Sequence, residues 1–301
     1  MKKKRILLVG GAGTLGSDII EANLPDYELF VIDNFSESAL AENELQEKVS
    51  YKNMSVTDKP NLIKIFQQFK PHVVIYLATT LSKDQLRAYE SNVLGMANTI
   101  EIAEKTTKPY IIYIQSFLTR NCKSTITVDS SVEAKDSYAT WKLAAEYLIN
   151  TYSGCHSTLI LASVLSPKLS VGAIPAFIQR IQNNESIKVT DTFRDYITSK
   201  MFVSSLSALI ENEIHNKIEV LGSNKPINTV EILKKTASAL SRDMYSINYE
   251  VIQPQSSDPK SIVLENSLRL EGNSEYSNID QSIIDIVKTF IKSKSYVRLH
   301  H

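Results

Sequence analysis

The residues of this chain best equipped for chemistry are Tyr138 and Lys142, in the run Tyr138-Ala139-Thr140-Trp141-Lys142. Positions four apart on a helix share a face, so a phenol and an ammonium would project together. An isolated tyrosine ionises near ~10, and a neighbouring cation favours the phenolate, bringing it toward use as a base. Tyr196 and Lys200 repeat the spacing, so spacing alone does not choose between the pairs. Position does: Tyr138 opens a helical stretch, and Ser116 ends the apolar run before it, twenty-two residues upstream. A serine, a tyrosine and a lysine brought together can take a proton from a hydroxyl group.

A second constellation lies at the N-terminus. Gly10-Gly11-Ala12-Gly13-Thr14-Leu15-Gly16 follows the apolar run Ile6-Leu7-Leu8-Val9, and Asp33 ends the next apolar run, twenty residues past Gly13. Glycine lets a backbone turn tightly and approach a pyrophosphate, whose charge then sits on free amides at the start of the following helix. An acid at that distance accepts hydrogen bonds from a ribose. Gly11, Gly13 and Gly16 fit G-x-G-x-x-G, and Gly10, Gly13 and Gly16 fit a wider spacing; four of the chain's nine glycines are here. The context of strand, turn, helix and acid predicts a dinucleotide site. With a nicotinamide bound, Ser116, Tyr138 and Lys142 could remove a hydroxyl proton while hydride leaves the same carbon. A 2′-phosphate beside Asp33 would be repelled, which favours NAD over NADP.

The elements that must hold these groups are legible in the apolar pattern. Ile6 to Val9, Leu29 to Ile32, Val73 to Leu77, Tyr110 to Ile114 and Thr158 to Leu161 read as strands. They alternate with helical patterns at Leu15 to Asn23, Lys59 to Phe69, Arg87 to Lys105 and Ser137 to Tyr152. Alternation of this kind predicts βαβ units and an α/β fold with a doubly wound parallel sheet of the Rossmann type, ligands binding at the carboxyl ends of the strands. The glycine turn, Asp33 and Ser116 all fall at such ends. After Leu165 the rhythm loosens, and a helix over Ile174 to Asn183 carries Pro175 in its first turn. The reading is therefore a dinucleotide-binding domain over 1–165 and a smaller substrate-binding region over 166–301, part of which returns to the sheet. Val251 to Lys260 reads as an irregular loop.

Composition narrows the function classes. At 301 residues with 43% hydrophobic and 22% charged, the chain is ordinary globular material. Thirty-three basic and thirty-three acidic residues cancel, so no basic excess points to nucleic acid or an anionic membrane. Lys2 to Arg5 precede only four apolar residues, which is a strand rather than an export signal, and no run approaches the ~20 residues that span a bilayer. Cys122 and Cys155 lack metal-ligand spacing and read as thiols of a reducing cytoplasm. No metal site is expected.

These motifs resemble the extended short-chain dehydrogenases, in particular the NAD-dependent nucleotide-sugar epimerases and dehydratases, over nearly the whole chain. Gly10 to Gly16 is similar to their cofactor loop, Ile32-Asp33-Asn34-Phe35-Ser36 to their ribose-binding strand end, and Ser91-Asn92-Val93-Leu94-Gly95 to their Asn-Val-x-Gly helix. Ile112-Tyr113-Ile114-Gln115-Ser116 resembles the strand ending in the catalytic Ser or Thr. Ala173 to Ile178 resembles the helix entering the sugar-nucleotide domain, Arg194-Asp195-Tyr196 an Arg-Asp-Tyr signature there, and Val220-Leu221-Gly222 with Val230-Glu231-Ile232-Leu233 a late strand and helix.

The resemblance implies roles residue by residue. Ser116, Tyr138 and Lys142 would be catalytic. Gly10, Gly13, Thr14, Leu15, Gly16, Asp33, Asn34, Ser55, Val56, Leu77, Ala78, Thr79 and Asn92, with Tyr138 and Lys142, would hold NAD. Ser116, Tyr138, Ser163 and Arg194 would hold a nucleotide-diphosphate sugar, Arg194 gripping the diphosphate with its planar fork; its alternative is a surface ion pair with Asp191 or Asp195. The helices Arg87 to Lys105 and Ser137 to Tyr152 would pair across a two-fold axis in a homodimer. The activity implied is epimerisation at C4 of a hexose through a 4-keto intermediate. Alternatives are a 4-ketosugar reductase, a 4,6-dehydratase and an idle nucleotide-binding regulator; the dehydratase is disfavoured because Phe117 and Leu118 stand where that group places acids. Several positions depart from the pattern. Ile160 and Ser163 replace an Arg and an Asn of the phosphate site, Ser166 a Gly, and Ser55 an adenine-binding Asp, while the loop after Thr79 is short. They leave the Ser-Tyr-Lys set intact and the identity of the nucleotide and sugar open.

Overall fold

A computed structural model of the chain describes residues 3–80, 82–123, 125–212, 214–255, 258–268 and 278–299, the last seven without side chains. Its contacts divide it into two compact units: residues 1–121, 128–161 and 203–220 form the first, and residues 122–127, 162–202 and 221–301 the second.

The first unit is built on a seven-stranded sheet. In chain order its elements are β1 (Lys4–Val9), α1 (Thr14–Glu21), β2 (Tyr27–Asp33), α2 (Glu42–Gln46), β3 (Ser50–Asn53), α3 (Lys59–Phe69), β4 (Val73–Tyr76), α4 (Gln85–Tyr89), α5 (Gly95–Glu104), β5 (Tyr110–Ser116), α6 (Ser137–Ile149) and β6 (His156–Leu161). Across the sheet the order is Lys217–Leu221, β6, β5, β4, β1, β2, β3, with β1 to β6 paired in parallel. The expected α/β doubly wound sheet is what forms. β1, β4 and β5 are covered on both faces, and their middles are fully apolar: Leu7, Leu8, Val9, Val74, Ile75, Ile111 and Ile112 expose none of their surface. One core layer joins these strands to Leu62 and Phe66 of α3, Met96 and Ile100 of α5, and Ala145 and Ile149 of α6.

Three features of this unit differ from the sequence reading. β3, Ser-Tyr-Lys-Asn, has no apolar signature because it is a largely exposed edge strand; it exists through backbone pairing with β2, from Phe30 opposite Ser50 to Asp33 opposite Asn53. The single helix expected over Arg87 to Lys105 is instead α4, a π-helical turn over Glu90–Leu94, and α5. Asp84 caps α4 by accepting from the amides of Leu86 (3.0 Å) and Arg87 (3.3 Å), which starts the helix two residues early. The π turn follows from a tertiary contact: the Tyr76 hydroxyl donates to the carbonyl of Ser91 (2.7 Å), and the Asn92 side chain donates to the carbonyl of Ala88 (2.9 Å). Both acceptors would otherwise belong to the ordinary ladder. α6 likewise ends at Ile149, three residues short of Tyr152.

The second unit packs Ala173–Gln182, Thr229–Ala239 and Ile279–Leu299 around a core that includes Phe177, Ile178, Ile187, Ile232, Leu233, Ile283 and Ile286. Its strands are short: Ser163–Leu165 beside Tyr196–Thr198, Ile187–Thr190 beside Tyr249–Ile252, and Phe193–Arg194 between Ile227–Asn228 and Ser261–Ile262. Val251 and Ile252, read from sequence as the start of a loop, complete a strand against Val189 and Thr190; of that loop, residues 256 and 257 lie outside the described residues.

The seam beside the π turn permits no side chain at Gly95, where a Cβ would run into Val56 and the Tyr76 hydroxyl. Gly95→Val should therefore destabilise the chain by about 2 kcal/mol or more, seen as an earlier midpoint in urea; an unchanged midpoint would show that the seam yields freely.

Candidate active site

The carboxyl ends of β1 to β5 carry the groups singled out above. At β1 the chain turns at Gly10, whose φ is +78° and whose missing side chain makes room for Ala78 after β4. Gly16, in the first turn of α1, lies against the backbone of Gly11, where a Cβ cannot fit. Gly13 is different. A Cβ there would meet only the Gly10 carbonyl at 3.5 Å, an ordinary contact, so the protein itself does not demand glycine at that point. Gly13 is also the N-cap of α1 and supplies no side-chain cap to its first turn, Thr14 to Gly16. Open space beside uncapped amides at a helix start suits a pyrophosphate.

The neighbouring strand ends complete the edge. Asp33 accepts from the amides of Ala12 (2.9 Å) and Phe35 (2.8 Å), one to each oxygen, which ties β2 to the glycine turn and leaves each oxygen a lone pair. Burial raises its pKa against those bonds. The Asn34 side chain accepts from the amide of Ser36 (3.1 Å). After β3, the Ser55 hydroxyl shares a hydrogen bond with Thr57 (2.7 Å) and Val56 is buried. After β4, Leu77 donates its amide to the carbonyl of Val9 (2.8 Å), and Thr79 donates its hydroxyl to Asn92 on the π turn (2.9 Å).

Ser116 and Tyr138 meet at the end of β5. The Ser116 hydroxyl lies close enough to the phenol to lower its pKa, and its oxygen accepts from the amide of Leu118 (3.2 Å). Asp136 caps α6 by accepting from the amide of Ala139 (2.7 Å), which fixes the turn that presents Tyr138. The protein around the phenol pushes its pKa up to about 12, chiefly by desolvation, while the Ser116 hydroxyl works the other way. Lys142, one turn on, is buried; its ammonium donates to the carbonyl of Ile114 (2.6 Å) and stands 4.5 Å from the centre of the Tyr113 ring. Desolvation pulls its pKa down to about 7, opposed by the Glu146 carboxylate. Three buried polar groups that motif reading passed over form a chain leading to this lysine: Gln115, Glu146 and Arg120. The one available signal was Glu146 itself, four residues after Lys142 on the same helix face.

The second tyrosine–lysine pair has another geometry. Tyr196 is a buried residue of a strand, and Lys200 is exposed on the helix Ser199–Glu211 that follows, so the two do not share a helix face.

Within the second unit, Arg194 is partly buried and donates through Nη1 to the carbonyls of Phe193 (2.8 Å) and Pro259 (3.2 Å). The two acids considered as its surface partners are engaged elsewhere. Asp191 accepts from the Asn228 amide group (2.7 Å), and Asp195 from the amides of Ser223 (2.9 Å) and Leu264 (2.9 Å) and from the Ser223 hydroxyl. Ser163 donates its amide to the carbonyl of Asp195 (3.2 Å), and Ser166 is fully buried.

Comparison with known proteins agrees with this architecture. The matched stretch of UDP-glucose 4-epimerase 2 from Arabidopsis thaliana is 25% identical over 191 residues, 58% of this chain and 54% of that protein, so the chain spans about half the length of this curated relative. Among solved structures, the Bordetella bronchiseptica enzyme WbmH in complex with NAD+ superposes with a TM-score of 0.87 at 22% identity, covering 96% of this chain and 99% of that one. WbmG from the same organism, in complex with NAD and UDP, superposes with a TM-score of 0.83 at 26% identity over 97% and 96%. The model of the NAD dependent epimerase/dehydratase family matches residues 6–222, from β1 through the last strand of the sheet. The chain belongs to the NAD dependent epimerase/dehydratase family, whose cofactor is NAD.

Proposed function

We propose that the chain is a nucleotide-sugar epimerase that inverts C4 of a hexose through a transient 4-keto intermediate. The observation that carries this reading is the convergence of Ser116 and Tyr138 at the end of β5, one helical turn from the buried Lys142, on the sheet edge that also holds the glycine turn. Tyr138 is the group that takes and returns the hydroxyl proton, and Ser116 orients that hydroxyl. Lys142, in its charged form, favours the phenolate. Gly10, Gly13, Thr14, Leu15, Gly16, Asp33, Asn34, Ser55, Val56, Leu77, Ala78, Thr79 and Asn92 are assigned to the cofactor. When bound there, NAD supplies a reversible hydride acceptor. Ser163 and Arg194 are assigned to the nucleotide diphosphate; the partly buried guanidinium keeps NH donors beyond its two backbone contacts. The 4-epimerase among the relatives and the UDP bound to WbmG support this substrate class.

The described residues form no helix long and apolar enough to cross a membrane. Assembly as a homodimer is supported by the exposed apolar side chains of α4 and α6: Leu86 is 66% exposed, Tyr89 40% and Tyr147 62%. Light scattering at micromolar concentration should give twice the chain mass, and Leu86→Glu with Tyr147→Glu should halve it.

The activity is tested by incubating the protein and NAD with UDP-, GDP-, dTDP- and CDP-hexoses and looking for a new epimer; net consumption of NADH with a ketosugar would instead identify a 4-ketosugar reductase. Tyr138→Phe should lower turnover of the best substrate by ~10²-fold or more, as expected when a general base is removed. Tyr196→Phe should cost far less, and equal losses would overturn the choice of Tyr138. The chain should also bind NAD more tightly than NADP by calorimetry, with Asp33→Ala narrowing the gap; preference for NADP in the parent would show that Asp33 does not face the ribose.

A further inference from the structure

Beneath Lys142 lies a buried pair for which the proposed reaction assigns no part. Arg120 and Glu146 are 2% and 5% exposed. The guanidinium holds the carboxylate with both arms, Nη2 to Oε1 at 2.6 Å and Nη1 to Oε2 at 3.1 Å, and Nη1 also donates to the Thr119 hydroxyl (2.9 Å). Gln115 joins this pair to the lysine: its side-chain amide donates to Glu146 Oε2 (2.6 Å) and to the Lys142 carbonyl (3.1 Å). The Tyr113 hydroxyl donates to that same carbonyl (2.9 Å). A buried ion pair adds little to stability over apolar residues of similar volume, so its presence directly under a third buried charge points to a use beyond folding.

The groups facing Lys142 are few. From β5 it meets Tyr113 and the Ile114 carbonyl, with Tyr76 of β4 beyond Tyr113. Its own helix contributes Tyr138 and Glu146, and Arg120 of the segment after β5 stands behind Glu146, gripping that carboxylate. The acids of the neighbouring α5 are engaged at the surface, Glu101 with Lys59 and Lys105 and Glu104 with Lys108, while Glu90 of the π turn is exposed. Glu146 is thus the buried acid that can hold the ammonium charged.

We propose that Glu146 and Arg120 are positioning residues that set the charge of Lys142, Glu146 holding the lysine protonated and Arg120, by gripping the same carboxylate, limiting how strongly it does so. The inference rests on the reading of Lys142 as the partner of Tyr138, since its consequence for catalysis runs through that pair. The two halves of one ion pair then act in opposite directions. Removing Glu146 takes away the favourable charge and leaves a buried guanidinium that repels the ammonium. Removing Arg120 leaves the carboxylate free to attract it.

The experiment is a direct titration of Lys142 by NMR in protein labelled with [ε-13C]lysine, free and saturated with NAD, the resonance being assigned by its loss in Lys142→Met. The parent should titrate near the neutral value to which burial brings this lysine, about 7 in the free protein. Glu146→Gln should move the midpoint down, and Arg120→Met should move it up, each by about one unit. The alkaline limb of kcat/KM should follow in the same two directions. A purely structural pair would lower yield or Tm in both variants without opposite shifts; midpoints that stay put or move the same way overturn the proposal. If either variant is insoluble, Glu146→Asp and Arg120→Lys, which keep both charges but weaken their grip, must show the same two signs at smaller size. Opposite shifts in a protein that turns over no nucleotide hexose would uphold this coupling and sink only the reading of the site, whereas turnover with an unmoved titration would overturn the coupling and leave the site.

Discussion

The docking of α6 on β5 is the contact from which the site in the first unit follows. It is made by polar groups inside an apolar layer: the carbonyl of Lys142 accepts from the Tyr113 hydroxyl and the Gln115 amide, and the Lys142 ammonium donates back to the carbonyl of Ile114. Helix and strand are thereby pinned at Lys142, not only at their apolar faces. Slipping α6 by one residue would leave several buried donors and acceptors without partners, each costing roughly 1–3 kcal/mol. That penalty keeps Tyr138 opposite Ser116.

The same economy of backbone and side chain governs the cofactor edge. Asp33 is bonded to two amides of its own chain, so the turn from Gly10 to Gly16 is held in shape by the same acid that we propose for the ribose. Glycine serves two ends within one motif. Gly10 and Gly16 are required by the protein's own packing, whereas at Gly13 the protein leaves open space that a side chain would partly fill. In the second unit, buried Asp195 plays the bracing part: it ties the strand residues next to Arg194 to Ser223 and Leu264, which holds the arginine's backbone in place.

Charge is handled differently in the two units. Lys142, Glu146 and Arg120 are buried together, and desolvation, opposed by the neighbouring carboxylate, brings the lysine's pKa down to about 7. The Tyr138 phenol, by contrast, stays protonated in the free chain, because burial outweighs the effect of the Ser116 hydroxyl. The base chemistry proposed for Tyr138 therefore needs a positive charge nearby, which is why the protonation of Lys142 matters. On Arg194 desolvation is the main influence, opposed by Tyr196, Cys122 and Asp258.

Sequence by itself determined the parts of this protein that local physics controls. A run such as Leu7 to Val9, buried on both faces, can only be apolar; a turn with φ of +78° at Gly10 calls for glycine; and four residues along α6 bring Tyr138 and Lys142 to one face whatever surrounds them. The tertiary structure alone decided what depends on partners far away in the chain. β3 is a strand because β2 offers it hydrogen bonds, not because Ser50 to Asn53 favour one. The π turn at Glu90–Leu94 goes with the reach of Tyr76 to Ser91, fifteen residues along the chain and beyond any local rule. Tyr196 and Lys200 share the spacing of the other pair, yet a strand-to-helix junction falls between them. Above all, the state of Lys142 is set by Glu146 and Arg120, and only the packing of α6 against the segment after β5 buries those charges together, since electrostatic effects depend on distance and dielectric rather than on separation along the chain.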